Sequence, residues 1–86
     1  MKFKVEFSVE AASDLDKLFY ADKKLFKRVF NKIESLADNP REGKPLVGNH
    51  KGEFSLRLSS YRIVYEFDTT SHTIFILTIK HRKHVY

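Results

Sequence analysis

A run of apolar residues late in the chain, Ile74 to Ile79, sets the main limit on how this sequence can fold. Consecutive residues of a β-strand point to opposite faces, and a strand that is apolar at successive positions is typical of the middle of a sheet. We therefore expect this run to be an internal strand. It is far shorter than the roughly 20 apolar residues that cross a bilayer, so the sequence indicates no membrane protein.

The first half of the chain predicts one strand followed by two helices. Apolar and charged residues alternate over residues 2–7, which is the pattern of a strand with one buried face. Ser8 is a suitable N-cap for a helix over residues 9–19, and Asp22 is suited to cap a second helix. That helix ends where Asn39-Pro40 interrupts its apolar period. Two helices joined by a short turn predict an antiparallel hairpin.

The second half predicts a basic loop and three strands. The segment 40–52 contains both prolines and all three glycines, and we expect it to be a loop. Residues 53–58 and 61–67 alternate like strands around a Ser-Ser turn, and the apolar run follows them. The predicted class is α+β with the order β-α-α-β-β-β, in which a helical hairpin packs on one face of a small, mainly antiparallel sheet. Residues 1–86 form a single domain.

The charge balance points to polyanionic partners. Sixteen Lys and Arg against eleven Asp and Glu give a net charge of +5, and a basic domain of this kind attracts nucleic acid. The absence of cysteine excludes disulfides and thiolate metal sites and favours a cytoplasmic location. The four histidines lack metal-ligand spacing, so we predict no metal and no cofactor.

Strand alternation places two arginines on the uncovered face of the sheet. Arg57 and Arg62, together with Ser55, alternate with the core-facing residues of their strands. Two interpretations are open: the arginines bind a phosphate, or they pair with Glu53 and Glu66 on a solvated surface. We expect the tail that begins at Lys80 to fold toward the same face or its edge. That tail contains His81, Arg82, Lys83, His84 and Tyr86.

Three segments together resemble one family of small proteins. They are GEFSLRLSSYRIVY at residues 52–65, the KPL that precedes it at 44–46, and the ending HRKHVY at 81–86. In this combination the chain resembles the RelE/ParE toxin superfamily over essentially its whole length. The order of helices and strands predicted above is also the order that this superfamily uses.

The resemblance implies a toxin of a type II toxin–antitoxin pair. In the RelE branch the toxin enters the ribosomal A site and cuts mRNA, inhibiting translation, by attack of a ribose 2′-oxygen on the adjacent phosphate. This endoribonuclease chemistry needs a base, an acid and positive charge around the phosphorane, and it uses no metal. The implied partners are the ribosome, mRNA and a cognate antitoxin, a small acidic or amphipathic protein.

Carried over residue by residue, the resemblance implies roles for several side chains. Arg62 and Arg82 would bind the scissile phosphate, and Arg57 would stabilise the phosphorane. Tyr86 would stack on a base or orient the 2′-hydroxyl. The RelE enzymes have a lysine where this chain has Ser55, which leaves the base open, and His81 is our substitute. The predicted RNA-binding residues are Lys44, Lys51, Lys80, Lys83 and His84.

Two other functions fit the same fold. The ParE branch inhibits DNA gyrase and is not a nuclease, and a fold alone does not separate the branches. A non-catalytic RNA-binding domain is the third possibility. The set Arg57, Arg62, Arg82 and Tyr86, with histidines nearby, favours the nuclease.

Overall fold

The computed structural model describes the backbone of residues 2–84 and the side chains of residues 2–83, and it confirms the predicted α+β class. Two helices pack against a sheet of five strands. In chain order the elements are β1 (Lys4–Phe7), α1 (Val9–Ala21), α2 (Lys23–Leu36), β2 (Lys44–Pro45), β3 (Phe54–Leu58), β4 (Tyr61–Asp68) and β5 (Thr73–His81).

The strand order is β1-β5-β4-β3-β2, so the apolar run does form an internal strand. β5 lies between β1, which is parallel to it, and β4, which is antiparallel. Val5 is opposite Ile74 on one side of β5, and Tyr65 is opposite Ile76 on the other. The first and last strands of the chain are therefore neighbours, and the remaining strand pairs are antiparallel.

The helical hairpin covers one face of the sheet and encloses the core. The apolar stripes of both helices meet the inward side chains of β4 and β5, because helical and strand periods each keep apolar residues on one side. The fully buried large side chains are Val29, Ile33, Leu36, Ile63, Tyr65, Ile74, Ile76 and Ile79. The opposite face of the sheet is left without a helix.

Both predicted N-caps are confirmed. The Ser8 hydroxyl accepts a hydrogen bond from the Ala11 amide at 2.9 Å, and the Asp22 carboxylate accepts one from the Leu25 amide at 3.1 Å. Each cap satisfies an amide at the start of its helix that has no partner within the helix. Among the described residues, neither helix is long and apolar enough to span a membrane.

Several predicted boundaries are wrong: β1 begins at Lys4 rather than at residue 2, α1 continues to Ala21 rather than ending at residue 19, and two further differences lie near the site. The segment 40–52 is not entirely loop, because Lys44 and Pro45 form β2 and pair with Ser55 and Phe54. The last strand does not end at Ile79 but continues through His81, since β4 offers partners as far as Tyr61. Lys80 and His81 consequently belong to the sheet, and the tail begins with a short 3₁₀ turn over Arg82–His84.

Candidate nucleic-acid interface

Three cationic residues are register neighbours on adjacent strands of the sheet. Arg57 on β3 is opposite Arg62 on β4, and Arg62 is opposite Lys80 on β5. Ile63 and Ile79 are buried on the helix side, so strand alternation directs Arg57 and Arg62 to the other side, whereas the Lys80 side chain turns at the edge of the sheet to reach α1. We call Arg57, Arg62 and Lys80 the cationic row.

Within residues 2–83, whose side chains the structure describes, the two arginines of the row have no carboxylate partner. Among the described side chains, no Asp or Glu lies within ion-pair distance of Arg57 or Arg62. Glu53, one of the partners considered from sequence, lies 3.2 Å from His50 instead. Like charges that face each other across two strands destabilise the pair. The structure therefore contains facing positive charges that an anion would neutralise.

Lys80, the third member of the row, is already neutralised at the edge of the sheet. Its ammonium nitrogen lies 2.7 Å from the Asp14 carboxylate and 3.2 Å from that of Glu10, both on α1. The hydrogen bond to Asp14, followed by the one to Glu10, raises the pKa of Lys80 above its ordinary value. Positive charge available to a ligand is therefore concentrated on Arg57 and Arg62.

Asp14 also binds the backbone of β5 beyond the end of β1. β1 ends opposite Ile76, so the following residues of β5 have no neighbouring strand on that side. The Ser8 hydroxyl donates to the Leu77 carbonyl at 2.7 Å, and the Ile79 amide donates to the Asp14 carboxylate at 3.1 Å. Side chains from α1 and its cap thus satisfy backbone groups at the edge of β5.

A cleft of about 500 Å³ opens beside the two arginines. Lys44 on β2 and Glu42, in the turn before it, form its outer wall. Glu42 makes an ion pair with Lys32 of α2, which fixes the carboxylate at the rim of the cleft. The remaining lining residues are Leu46, Ser55 and Leu56. Sequence reasoning missed Glu42, because only the folded turn brings it to β3 and β4.

The turn that carries this wall is fastened to the core by Tyr65. The Tyr65 hydroxyl donates to the Pro40 carbonyl at 2.7 Å and accepts from the Gly43 amide at 2.8 Å. Burial is the main cause that raises the pKa of Tyr65 above its ordinary value. A Cβ on Gly43 would lie 2.5 Å from the phenol oxygen, so only glycine permits this close approach.

His81 lies on the other side of the sheet from the two arginines. It is opposite Tyr61, and the two rings make an edge contact with centroids 5.5 Å apart. Both rings line a second cleft of about 530 Å³ with Asp14 and Lys17 of α1. The expected convergence of His81 with the arginines does not occur, since His81 shares strand parity with the inward-facing Ile79.

The other predicted residues lie around the end of the sheet or outside the described part. Arg82 and Lys83 are exposed after β5, and the Arg82 amide donates to the Ser60 carbonyl at 2.8 Å. Arg82 thus lies beside the β3–β4 turn, two residues beyond Lys80 along the chain. Lys51 is exposed in the segment between β2 and β3, and it does not line the cleft beside Arg57 and Arg62. Tyr86 and the side chain of His84 lie outside the described residues.

No group of three or more metal-binding side chains occurs within the part of the chain that the structure describes. The groups that surround the cleft are instead guanidinium, ammonium, hydroxyl and one carboxylate. This combination suits a phosphate of a polyanion, because arginine binds phosphate oxygens through two parallel hydrogen bonds and stays charged.

Comparison with known proteins shows the class of protein to which this fold and basic site belong. The family model described as "ParE toxin of type II toxin-antitoxin system, parDE" matches residues 5–86. Toxin RelG of Mycobacterium tuberculosis is 36% identical over 87 residues, covering 100% of this chain and 98% of RelG. The chain therefore belongs to the ParE toxin family, within the RelE/ParE superfamily suggested by its motifs.

Solved structures show the same fold. The toxin–antitoxin complex RelBE2 from M. tuberculosis contains a chain that matches with a TM-score of 0.84 and 33% identity, over 95% of this chain and 100% of that one. The YoeB dimer from Staphylococcus aureus matches with a TM-score of 0.80 and 25% identity, over 100% of both chains. The predicted RelE-like architecture is confirmed by these matches.

Proposed function

We propose that this protein is the toxin of a type II toxin–antitoxin pair and a ribosome-dependent endoribonuclease that cuts mRNA. The observation that carries the proposal is the pair Arg57 and Arg62, which face each other on the uncovered sheet face without a carboxylate partner among the described residues. They border a cleft that also contains Lys44, another cation.

In the proposed reaction the two arginines hold the scissile phosphate. The ribose 2′-oxygen attacks phosphorus, the bond from phosphorus to the 5′-oxygen breaks, and the products are a 2′,3′-cyclic phosphate and a 5′-hydroxyl. Negative charge grows on the equatorial oxygens of the phosphorane, and guanidinium groups that are already in place stabilise this charge more than that of the substrate. Arg82, beside the β3–β4 turn, would bind the phosphate from the end of the row.

The base that takes the 2′-hydroxyl proton must lie at the cleft. Of the described residues that line it, Glu42 is the carboxylate, and its ion pair with Lys32 holds it at the rim, where a 2′-hydroxyl of a bound strand would lie. We therefore place Glu42 ahead of His81, which faces the helices. Tyr86, which lies outside the described residues, keeps its proposed role beside the substrate base.

Gyrase inhibition is the second candidate. The match to the ParE family model favours it, because the ParE branch acts on DNA gyrase. In that case the arginines would contact a protein or DNA surface without cutting it.

We also propose a cognate antitoxin as partner, since relatives have been solved as toxin–antitoxin complexes, among them RelBE2 and YoeB-YefM. An acidic or amphipathic antitoxin segment would neutralise the basic surface. A toxin that acts on translating ribosomes would work in the cytoplasm.

The deciding experiment uses purified protein with ribosomes programmed by a defined mRNA. We expect A-site fragments with 2′,3′-cyclic phosphate ends, and we expect Arg62→Gln to lower the cleavage rate at least ~100-fold, the scale of one lost charge-stabilising donor. Arg41→Gln is the matched control, because the Arg41 guanidinium stacks over the Phe67 ring and does not line the cleft. Intact mRNA together with inhibited gyrase supercoiling would favour the second candidate. RNA binding without mRNA cleavage and without inhibition of gyrase would support the third possibility, a non-catalytic RNA-binding domain.

A further inference from the structure

The basic excess of this protein is concentrated in α2. Five of the fourteen residues of this helix are Lys or Arg and one is Glu, so the helix has a charge of 5 − 1 = +4. The whole chain has a net charge of +5. The rest of the protein is therefore nearly balanced, and the cleft beside Arg57 and Arg62 does not account for the excess.

Three of these cations share one side of the helix. Lys24, Lys27 and Arg28 are exposed; Lys27 and Arg28 lie three and four residues after Lys24, and Asn31 lies three residues after Arg28. The buried residues of α2, Val29 and Ile33 among them, lie on the opposite side. We call Lys24, Lys27, Arg28 and Asn31 the α2 basic face.

The charges of the α2 basic face are not compensated by any carboxylate that the structure describes. Lys24 and Arg28 are four residues apart, and like charges at this spacing destabilise a helix. Among the described residues, no carboxylate lies within ion-pair distance of Lys24, Lys27 or Arg28. Lys32 on the flank of the same helix does have a partner, Glu42.

We propose that the α2 basic face binds the phosphate backbone of a folded, double-stranded RNA. From Lys24 to Asn31 the helix rises about 10 Å, so its polar side chains extend past more than one phosphate of a duplex strand. Lys, Arg and Asn are residues that commonly contact phosphate oxygens, and such contacts bind without reading sequence.

The surroundings of this face argue against two other partners. A basic amphipathic helix binds a membrane by inserting its apolar side, but the apolar side of α2 is occupied by the core. A protein partner prefers an apolar centre with few lysines, whereas this face has no apolar residue between its charges. A phosphate backbone, in contrast, can bind to the cationic side chains of this face without an apolar contact.

Arg28 and Asn31 of the α2 basic face line a cleft with Leu58 of β3, whereas Arg57 and Arg62 line a different cleft, so the two basic surfaces are separate. One protein molecule can therefore contact two separate nucleic-acid segments at once. The inference goes beyond the proposed cleavage reaction, since binding of a duplex by α2 requires no chemistry at Arg57 or Arg62.

The test measures binding of a labelled RNA hairpin of about 20 base pairs by fluorescence anisotropy at several KCl concentrations. We expect the variant K24Q/K27Q/R28Q to bind at least ~10-fold more weakly near physiological salt. Its plot of log affinity against log salt should be shallower by about 3, because the variant neutralises about three fewer phosphates. Circular dichroism should show an unchanged fold, because all three side chains are exposed.

The matched control is K2Q/K4Q/K17Q, which removes the same charge from exposed positions outside α2. It should change the affinity less than about threefold, because phosphates at α2 remain bound. Equal effects of the two triple variants would overturn the proposal, because they would reflect net charge alone. So would an α2 variant that binds RNA normally but no longer holds a co-expressed antitoxin. Arg62→Gln should keep hairpin binding, so failure of cleavage and failure of duplex binding by α2 are distinguishable.

Discussion

The phenol oxygen of Tyr65 lies 2.8 Å from the amide nitrogen of Gly43, which joins the middle strand of the sheet to the turn beside the cleft. The same hydroxyl donates to the Pro40 carbonyl. The rim that contains Glu42 and Lys44 is therefore held by a buried side chain, and its position depends on the core.

Tyr65→Phe should destabilise the protein by about 1–3 kcal/mol, because it leaves the buried Gly43 amide and Pro40 carbonyl without a partner. The measurement is urea unfolding followed by circular dichroism. Tyr61→Phe is the control, since the Tyr61 hydroxyl makes no hydrogen bond to another described residue, and it should cost less than about 0.5 kcal/mol on the same scale. Equal costs for both variants would contradict the anchoring role of Tyr65.

Gly43→Ala should also destabilise the fold, by about 1–3 kcal/mol, because the new Cβ would meet the phenol oxygen at 2.5 Å. The backbone angles of Gly43 suit any residue, so the cost comes from contact with Tyr65 alone. In the Tyr65→Phe background the same change should cost less, which a double-mutant cycle measures. Strict additivity of the two changes would show that the clash is with the ring carbons, 2.9 and 3.0 Å from the new Cβ, and not with the oxygen.

Arg57→Gln should leave the fold as stable as the wild type or more stable by up to about 1 kcal/mol, because it removes one of two facing positive charges. The same variant should lose mRNA cleavage. Thermal unfolding and the ribosome assay measure the two effects. Arg57→Lys is the control, because it keeps the repulsion with Arg62 and should not gain stability. A strongly destabilised Arg57→Gln protein would contradict the prediction, because Arg57 would then stabilise the fold.

Asp14→Ala should destabilise the protein by about 1–3 kcal/mol, since it removes the acceptor of the Ile79 amide and the closer partner of Lys80. Asp14→Asn keeps an oxygen for the amide and should cost less. Asp16→Ala, an exposed acidic residue on the same helix, is the control for charge and helix propensity. Hydrogen exchange at the Ile79 amide should be faster in Asp14→Ala, and an unchanged rate would contradict the edge contact.

Stability should fall at alkaline pH. The pKa values of Tyr65 and Lys80 are raised in the folded protein, so their contributions are complete below the ordinary values of 10.0 and 10.5 and decline as the pH rises through the folded values. The free energy of unfolding should therefore be nearly constant to about pH 9 and decrease above about pH 10. Tyr65→Phe and Lys80→Gln should each flatten this decrease, and a curve of unchanged steepness in both would contradict the linkage.

The parts of the fold that depend on local chemistry can be predicted from the sequence. Ser8 and Asp22 are recognisable as caps because a side-chain oxygen before an apolar helical period has few other uses. Arg57 and Arg62 fall on the uncovered face because strand alternation fixes the side of every residue in a hairpin. The internal position of β5 follows from its apolar run.

The parts that depend on tertiary pairing could not be predicted. β2 has two residues, one of them a proline, and no pattern of that length indicates a strand. Lys80 and His81 are polar, which is typical of a tail, although pairing with β4 extends the strand through them. Glu42 gives no signal in the sequence, because its place beside the arginines depends on the turn that Tyr65 fastens.

The parallel pairing of β1 with β5 has a consequence during synthesis of the protein. β1 is synthesised first, but the residues with which it pairs begin at Thr73. β1 therefore cannot pair until almost the whole chain has been synthesised. A nascent chain that ends before residue 73 has a gap where β5 belongs, and its β3–β4 hairpin cannot close against β1. We therefore expect the growing polypeptide to acquire its folded surface only near the end of translation.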